Sequence, residues 1–392
     1  MTAIRVKDLL HRYGTGSAAM TSVDHVSFDV GDGEFYTLLG PSGCGKSTTL
    51  RCIAGLEDPS GGVIELDGAV VVSGRAVVPP NKRDIGLVFQ DYAVWPHMTV
   101  FENVAYPLRI SRKVTRSEIR SRVQDALHLV GLEQFIDRRA TQLSGGQQQR
   151  LSLARALVRQ PKVLLLDEPL SNLDAKLREQ MRTELRSIQR RLKIATLFVT
   201  HDQVEALSMS NRIAVMRDGK IVQEGTPREV YLKPNCEFVA RFVGSATFIR
   251  GTVAAYSSLQ NEATLTTSMG PLRARTLDAV KVHDTVEVVV RPEAVLLDDA
   301  TTAVNCFEGE IALAHFVGDA VDYSVRVGDE SIRVKGGGRT NLRRGTRVHI
   351  TLPVSECTVL RDEVERPVGA ITDIAPSHQG NSLEVAQPST NR

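Results

Sequence analysis

No two cysteines of this sequence stand close together. The five, Cys44, Cys52, Cys236, Cys306 and Cys357, are an odd number without a C-x-x-C spacing, which speaks against a disulfide frame and a zinc site and for a reducing compartment. A surplus of one charge is missing too. With 48 Lys and Arg against 46 Asp and Glu, no whole-chain field draws nucleic acid or an anionic membrane. No apolar run reaches the roughly 18 to 20 residues that span a bilayer. The opening "MTAIRVKDLLHRYG" lacks the continuous apolar core of a signal peptide, so a cytoplasmic chain able to dock on a membrane protein is expected. What remains is ordinary globular material. At 392 residues with 42% hydrophobic, the chain has the length for two or three domains.

Residues 1–235 alternate strand-like and helix-like segments, which predicts an α/β layer structure with a partly parallel sheet. "EFYTLLG" reads as a strand and "KSTTLRCIAG" as a helix stopped by Gly55. "TRSE" from Thr115 makes a capping box, and Ile119, Val123, Ala126, Leu127 and Val130 keep helical spacing up to Gly131. "VLLLDEP" and "ATLFVTHD" are short apolar strands of the kind buried on both faces. Between them Leu177, Met181, Leu185, Ile188 and Leu192 mark the inner face of a helix, and after them come a short helix and a hairpin turn at "RDGK". From Cys236 to about 362 the pattern has period two, which predicts a small all-β barrel. Residues 363–392, rich in Ser, Gln, Pro and Asn, carry too little apolar surface to offset ordering and are expected to be disordered. "GTGSAA", Gly14 to Ala19, loosely fits a dinucleotide motif, but a strand-like segment follows it, so it reads as a loop.

The sharpest chemical signal is "GPSGCGKST": Gly40, Pro41, Ser42, Gly43, Cys44, Gly45, Lys46, Ser47 and Thr48, between a predicted strand and a predicted helix. Glycines let backbone N–H groups converge on a β-phosphate, and the helix start turns its positive dipole end to the same anion. Lys46 neutralises β and γ oxygens, and Ser47 supplies a hydroxyl to Mg²⁺. A nucleoside triphosphate with magnesium is the expected ligand. Asp167, at the carboxyl end of a buried strand, is placed to hold the metal through its water shell, and Glu168 to activate an attacking water. His201 ends the neighbouring strand, within reach of a γ-phosphate. Cys44 lies near a helix N-terminus, a position that favours thiolate, but the stronger reading is a tolerated variable position of the motif.

One stretch resists a structural explanation. "LSGGQQQR", Leu143 to Arg150, sits between helical segments yet offers no core side chain after Leu143, and its Ser, Gly and Gln should weaken a helix start. Together, "GPSGCGKST", "VFQ", "LSGGQQQR", "VLLLDEP", "SNLD" and "VTHD" occur in the order and approximate spacing of the ATP-binding subunits of ABC transporters. Over about residues 4 to 235 the chain resembles that family, which implies a P-loop ATPase with a helical subdomain at about 91–160. The resemblance gives the odd stretch a purpose. It implies that Ser144, Gly145, Gly146 and Gln147 meet the γ-phosphate of ATP held by the other subunit, so that the site is completed by dimerisation of two copies.

The same resemblance assigns Tyr13 to stacking on adenine, Gln90 to joining Mg²⁺ and water to the transporter interface, and Asp174 to passing between the two sites, although helix capping would explain Asp174 alone. The segment from Gln90 to Met98, with Trp95 and Pro96, resembles the groove that receives a cytoplasmic helix of an integral-membrane permease; otherwise it would be an exposed apolar patch. The β-rich part resembles the regulatory OB-like region of ATPases serving bacterial importers of maltose, polyamines, ferric iron and sulfate, with "VVVRPE" its most telling piece. Few aromatics and no dense basic interleaving speak against nucleic acid there. The implied protein is a homodimeric, peripheral importer ATPase working with a permease and, indirectly, with a periplasmic or lipid-anchored solute-binding protein. Sugar-importer relatives carry Ser-Pro-x-Met-Asn at the junction, whereas here Ser245 is followed by Ala246, Thr247 and Phe248, which tilts the expected cargo toward ferric iron or a polyamine. The alternatives are a sugar, sulfate or phosphonate importer, a soluble ABC ATPase of translation or repair, and a regulator that sequesters a transcription factor.

Overall fold

The computed structural model describes residues 2–14, 20–74, 76–111, 114–298 and 303–360. All but Gly14 of the "GTGSAA" loop, and the whole of the 363–392 tail, lie outside the described residues.

The partly parallel sheet expected over residues 1–235 proves to be two sheets. One has the strand order Lys220–Gly225, Arg212–Arg217, Phe35–Leu39, Ala195–Thr200, Val163–Asp167, Ile85–Val88, parallel throughout except for its first pair. Its three central strands are buried at every position, as continuous apolar runs require when both faces are covered. The other sheet is antiparallel, in the order Met20–Gly31, Thr2–Tyr13, Gly61–Leu66, Ala69–Ser73, Ala76–Val77. Ile4, Leu9 and Val30 of this sheet, Tyr36 and Leu165 of the first, and Leu50 and Ile53 of helix Lys46–Ala54 share one core. The helix that follows the glycine loop is thereby held by both sheets.

Helices cover the opposite face of the parallel sheet. Val104, Val123, Leu127, Leu151, Met181 and Leu185 pack there with Phe35, Val88, Leu164 and Phe198. Helix Arg116–Val130 starts on the predicted Thr115–Glu118 capping box and stops at Gly131, whose φ of 68° needs no Cβ. In helix Ala175–Leu192 the apolar stripe ends one turn early. Met181, Leu185 and Ile188 are buried, but Leu192, expected inside, is exposed, because it lies in the last turn and faces an open cleft shared with Leu129, Leu157 and Ile194.

The change of texture expected at Cys236 comes one helix later. Helix Glu237–Phe242 packs Val239, with Val243 just beyond its end, on Leu39, Ile213 and Val230 of the first part, and the β strands begin at Thr247. The barrel expected beyond it is present, and a second sheet accompanies it. A closed barrel of Thr247–Ser257, Glu262–Thr267, Gly270–Thr276, Thr358–Leu360 and Thr285–Val290 stands beside a separate five-stranded sheet. That sheet runs Leu296–Asp298, Arg347–Thr351, Cys306–Phe316, Ala320–Val327, Glu330–Gly337, and it shares one core with the barrel. Period-two alternation tells which face a residue takes, but not which strand becomes its neighbour. The two parts are fastened by buried Arg291. Its guanidinium donates to the carbonyls of Tyr231 at 2.9 Å, Ser245 at 3.0 Å and Ala240 at 3.1 Å, and it lies 4.2 Å from the centre of the Tyr231 ring.

Candidate functional site

Four parallel strands end along one edge of the sheet. Leu39 pairs with Thr200, Val199 with Asp167 and Leu166 with Val88, so the segments that start at Gly40, Gln90, Glu168 and His201 leave the sheet side by side. This is where open α/β sheets bind ligands.

The glycine loop is fixed by close backbone contacts. A Cβ on Gly40 would come within 2.4 Å of the Met216 carbonyl oxygen, and one on Gly45, whose φ is 100°, within 2.2 Å of that of Ser22. Helix Lys46–Ala54 begins immediately afterwards, with no side chain capping its first amides. Lys46 is buried and its ammonium donates to the carbonyls of Gly40 at 2.9 Å and Pro41 at 2.8 Å. Cys44 has the surroundings of a tolerated loop position and not of a thiolate. The side chain is buried, 3.8 Å from Lys46 Nζ, and burial raises the thiol pKa against the pull of that lysine and of nearby backbone N–H groups.

Ser47 Oγ donates to Asp167 Oδ1 at 2.7 Å, and Arg51 Nε lies 3.9 Å from Asp167 Oδ2. Burial raises the Asp167 pKa, opposed by the Ser47 hydrogen bond and by Arg51. One hydroxyl and one desolvated carboxylate suit a hard cation that takes its remaining oxygens from water and phosphate. Among the described residues no group of three His, Cys, Asp or Glu could hold a metal ion by itself. Glu168 has a φ of 44°, a conformation uncommon outside glycine, and its Oε2 meets His201 Nδ1 at 2.9 Å. The two residues named for the chemistry are therefore in contact. Gln90 is exposed in the turn two residues beyond strand Ile85–Val88, and its carbonyl accepts from Asn172 Nδ2 at 3.1 Å.

Tyr13 ends its strand 42% exposed. Its hydroxyl donates to Glu57 Oε2 at 2.5 Å and lies 3.3 Å from Thr48 Oγ1, next to Ser47. Sequence reasoning missed Glu57 and Arg51. Nothing in "RCIAGLED" marks either one, since Tyr13, His11 and Asp167, which they meet, come from distant strands.

The expectation that "LSGGQQQR" weakens a helix start is overturned. Ser144 caps helix Gly145–Leu157 by accepting from Gln147 N, and Gln147 Oε1 accepts from Ser144 N at 2.9 Å, a complete capping box. Gln148 Nε2 donates to the carbonyls of Ala140 and Leu143, and Gln149 is buried, so the stretch does supply the interior. The two glycines differ. A Cβ on Gly146 would meet Leu177 Cδ2 at 2.8 Å, whereas one on Gly145 would meet nothing within 4 Å. Among the described residues no hydrogen bond joins Ser144–Gly146 to Gly40–Thr48 of the same chain. Asp174 Oδ1 accepts from Leu177 N at 2.9 Å and caps its helix.

Residues Gln90 to Met98 do not form a flat apolar patch. Tyr92 and Ala93 have positive φ, and both carbonyls accept from buried Arg155, whose guanidinium lies 4.8 Å from the centre of the Trp95 ring. Trp95 packs against Tyr106 and, with Phe89, Pro107 and Arg159, lines a groove of about 370 Å³.

A strand, a glycine loop with its lysine and hydroxyl, and a buried aspartate on the next strand but one define a P-loop nucleoside triphosphatase. Residues 23–171 match the ABC transporter family model and residues 288–360 the TOBE domain model. The spermidine/putrescine import ATP-binding protein PotA of Rubrobacter xylanophilus is 43% identical over 371 residues, 91% of this chain and 93% of its own length. The trehalose/maltose import ATP-binding protein MalK of Thermococcus litoralis is 53% identical over 247 residues, 62% of this chain and 65% of its own. A dimeric ATP-binding cassette, solved in a post-hydrolysis state bound to ADP and Pi, fits with a TM-score of 0.51 at 31% identity, over 57% of this chain and 99% of that one. The chain belongs to the ABC transporter family, among the ATP-binding import subunits that carry a TOBE domain.

Proposed function

We propose that two copies of this chain hydrolyse ATP at sites they share, and that the opening and closing of the pair drives a membrane permease on whose cytoplasmic face they sit. The observation that carries this is the contact of Glu168 with His201 beside the Ser47 to Asp167 hydrogen bond, at the shared edge of the sheet. Gly40 to Thr48 cradle the phosphates, with Lys46 on the β and γ oxygens. Ser47 and Asp167, with Gln90 beside them, would hold a magnesium ion, which neutralises charge on the phosphate oxygens. Glu168 accepts a proton from the attacking water, and His201 orients the carboxylate and reaches the γ-phosphate.

Tyr13 stacks on the adenine. Ser144 to Gln147 present the start of helix Gly145–Leu157 to the triphosphate seated on the second copy. The unconstrained space at Gly145 supports that role, since packing does not demand a glycine there. Asp174 stands at the passage between the two sites. The groove beside Trp95 receives a short apolar helix of the permease.

A polyamine is the cargo this reading favours, because the similarity to the spermidine/putrescine subunit runs through the β part as well, whereas that to the trehalose/maltose subunit covers 62% of the chain. A solute-binding protein outside the membrane would deliver it, and the ligand that protein retains tests the assignment. The catalytic reading is tested with Glu168→Gln. It should bind ATP as the native chain does, accumulate a dimer and lose turnover by about 100-fold or more. Unchanged ATPase activity would remove Glu168 from the reaction.

A further inference from the structure

The tyrosine expected to take the nucleotide base is held at its hydroxyl by a group outside the glycine loop and the strand ends. Glu57 lies three residues beyond the end of helix Lys46–Ala54, and its carboxylate gathers three groups, two from strand Thr2–Tyr13 and one from that helix. Oε2 accepts from the Tyr13 hydroxyl at 2.5 Å and lies 3.5 Å from His11 Nε2, while Oε1 accepts from Arg51 Nη1 at 3.4 Å. A carboxylate can only accept, so Tyr13 must spend its proton on Glu57 and receive one from Thr48 Oγ1, 3.3 Å away. Burial and the Glu57 hydrogen bond raise the phenol pKa, which keeps it a donor at neutral pH.

The ring has a second restraint. His11 meets it edge-on at 4.5 Å and 67°, and His11 Nδ1 is anchored 2.9 Å from Ser22 Oγ. Ser22 supplies the carbonyl that walls in Gly45.

We propose that Glu57 is a positioning residue for nucleotide binding: it fixes the long axis of the Tyr13 side chain against the start of the cradle helix, while His11, which Glu57 also meets, packs across the ring, so that the base finds its stacking surface already oriented. This rests on the stacking role given to Tyr13 above. Stacking on a fixed ring gains more than stacking on a mobile one, because the side chain has less rotamer freedom left to lose. The effect belongs to the base and not to the phosphates.

The test compares binding of magnesium ATP with that of magnesium tripolyphosphate, which has no base, by titration calorimetry on the full chain. Glu57→Ala should raise the Kd for ATP roughly 3- to 10-fold, the scale of an aromatic stacking contact, and leave that for tripolyphosphate unchanged. Glu57→Gln keeps an acceptor for the Tyr13 hydroxyl and should stay within about twofold of the native value. Tyr13→Ala is the control for the stacking reading. If Tyr13→Ala weakens ATP and Glu57→Ala does not, the positioning role is overturned and stacking stands. If Tyr13→Ala leaves ATP binding unchanged, both fall. An equal loss for the two ligands would make Glu57 part of the cradle's fold and overturn the inference.

Discussion

Gly145 and Gly146 are neighbours with opposite reasons to be glycine. Gly146 faces Leu177 so closely that a methyl group would force the leucine aside, an overpacking that costs roughly 1 to 3 kcal/mol. Gly145 faces open space at the first position of its helix, where alanine meets no obstacle and has the better helix propensity. We therefore expect Gly146→Ala to lower the melting temperature in calorimetry. Gly145→Ala should hold or raise it, yet reduce ATPase activity, because the methyl group intrudes where a triphosphate is to approach. The sequence displays the pair but not the difference, since Leu177 lies thirty-one positions further on. Cys44 gives the same lesson: its place before a helix was legible, but its burial depends on the approach of Gly40 and Lys46.

At the scale of elements, the segments with strict periodicity or a fixed chemical spacing were the readable ones. The cradle, the two buried strands that end at Asp167 and Thr200, and the helix capped by Thr115 all stand where the pattern put them. The antiparallel sheet was not read as separate, because its pairing joins Thr2–Tyr13 to Gly61–Leu66 across the whole glycine loop. The short helix Gln203–Met209 after His201 carries a titratable group of its own. Glu205 is buried, and its Oε2 accepts from Thr200 Oγ1 at 2.6 Å. Burial raises its pKa, opposed by that hydrogen bond. A carboxyl whose folded pKa lies above its unfolded value binds its proton more tightly in the folded state. That stabilisation is present at low pH and lost as pH rises through the folded pKa. Glu205→Gln keeps an acceptor for Thr200 and removes the charge. Its stability relative to the native chain should therefore increase as pH is raised from the ordinary glutamate range toward neutrality. Denaturant titrations at several pH values measure this, and a constant or shrinking gap would contradict it.

Across the whole molecule the two parts are joined by a small apolar cluster of Ala240, Val289 and Leu360, by the Tyr231 to Glu293 hydrogen bond and by a buried polar clamp. Arg291 gives its guanidinium to three carbonyls of the segment Tyr231 to Ser245, and Gln203 Oε1 accepts from Gly244 N at 2.7 Å, so the segment leading to the barrel is tied to the helix that follows His201. Arg291→Ala should cost about 3 kcal/mol, since the replaced hydrogen bonds are charge-assisted and buried. It should also split the unfolding endotherm into separate transitions for the ATPase part and the β part. A single undivided endotherm would mean that the parts unfold together without the clamp. "VVVRPE" pointed to this place in the sequence, but not to its partners, which lie roughly fifty residues earlier on a segment of different pattern.

The walls of the glycine loop are the carbonyls of Ser22 and Met216, one from each sheet. The loop can neither widen nor slump unless the sheets shift with it. Its contour is thus a property of the folded chain rather than a response to a ligand, and a triphosphate that enters has little backbone entropy left to remove.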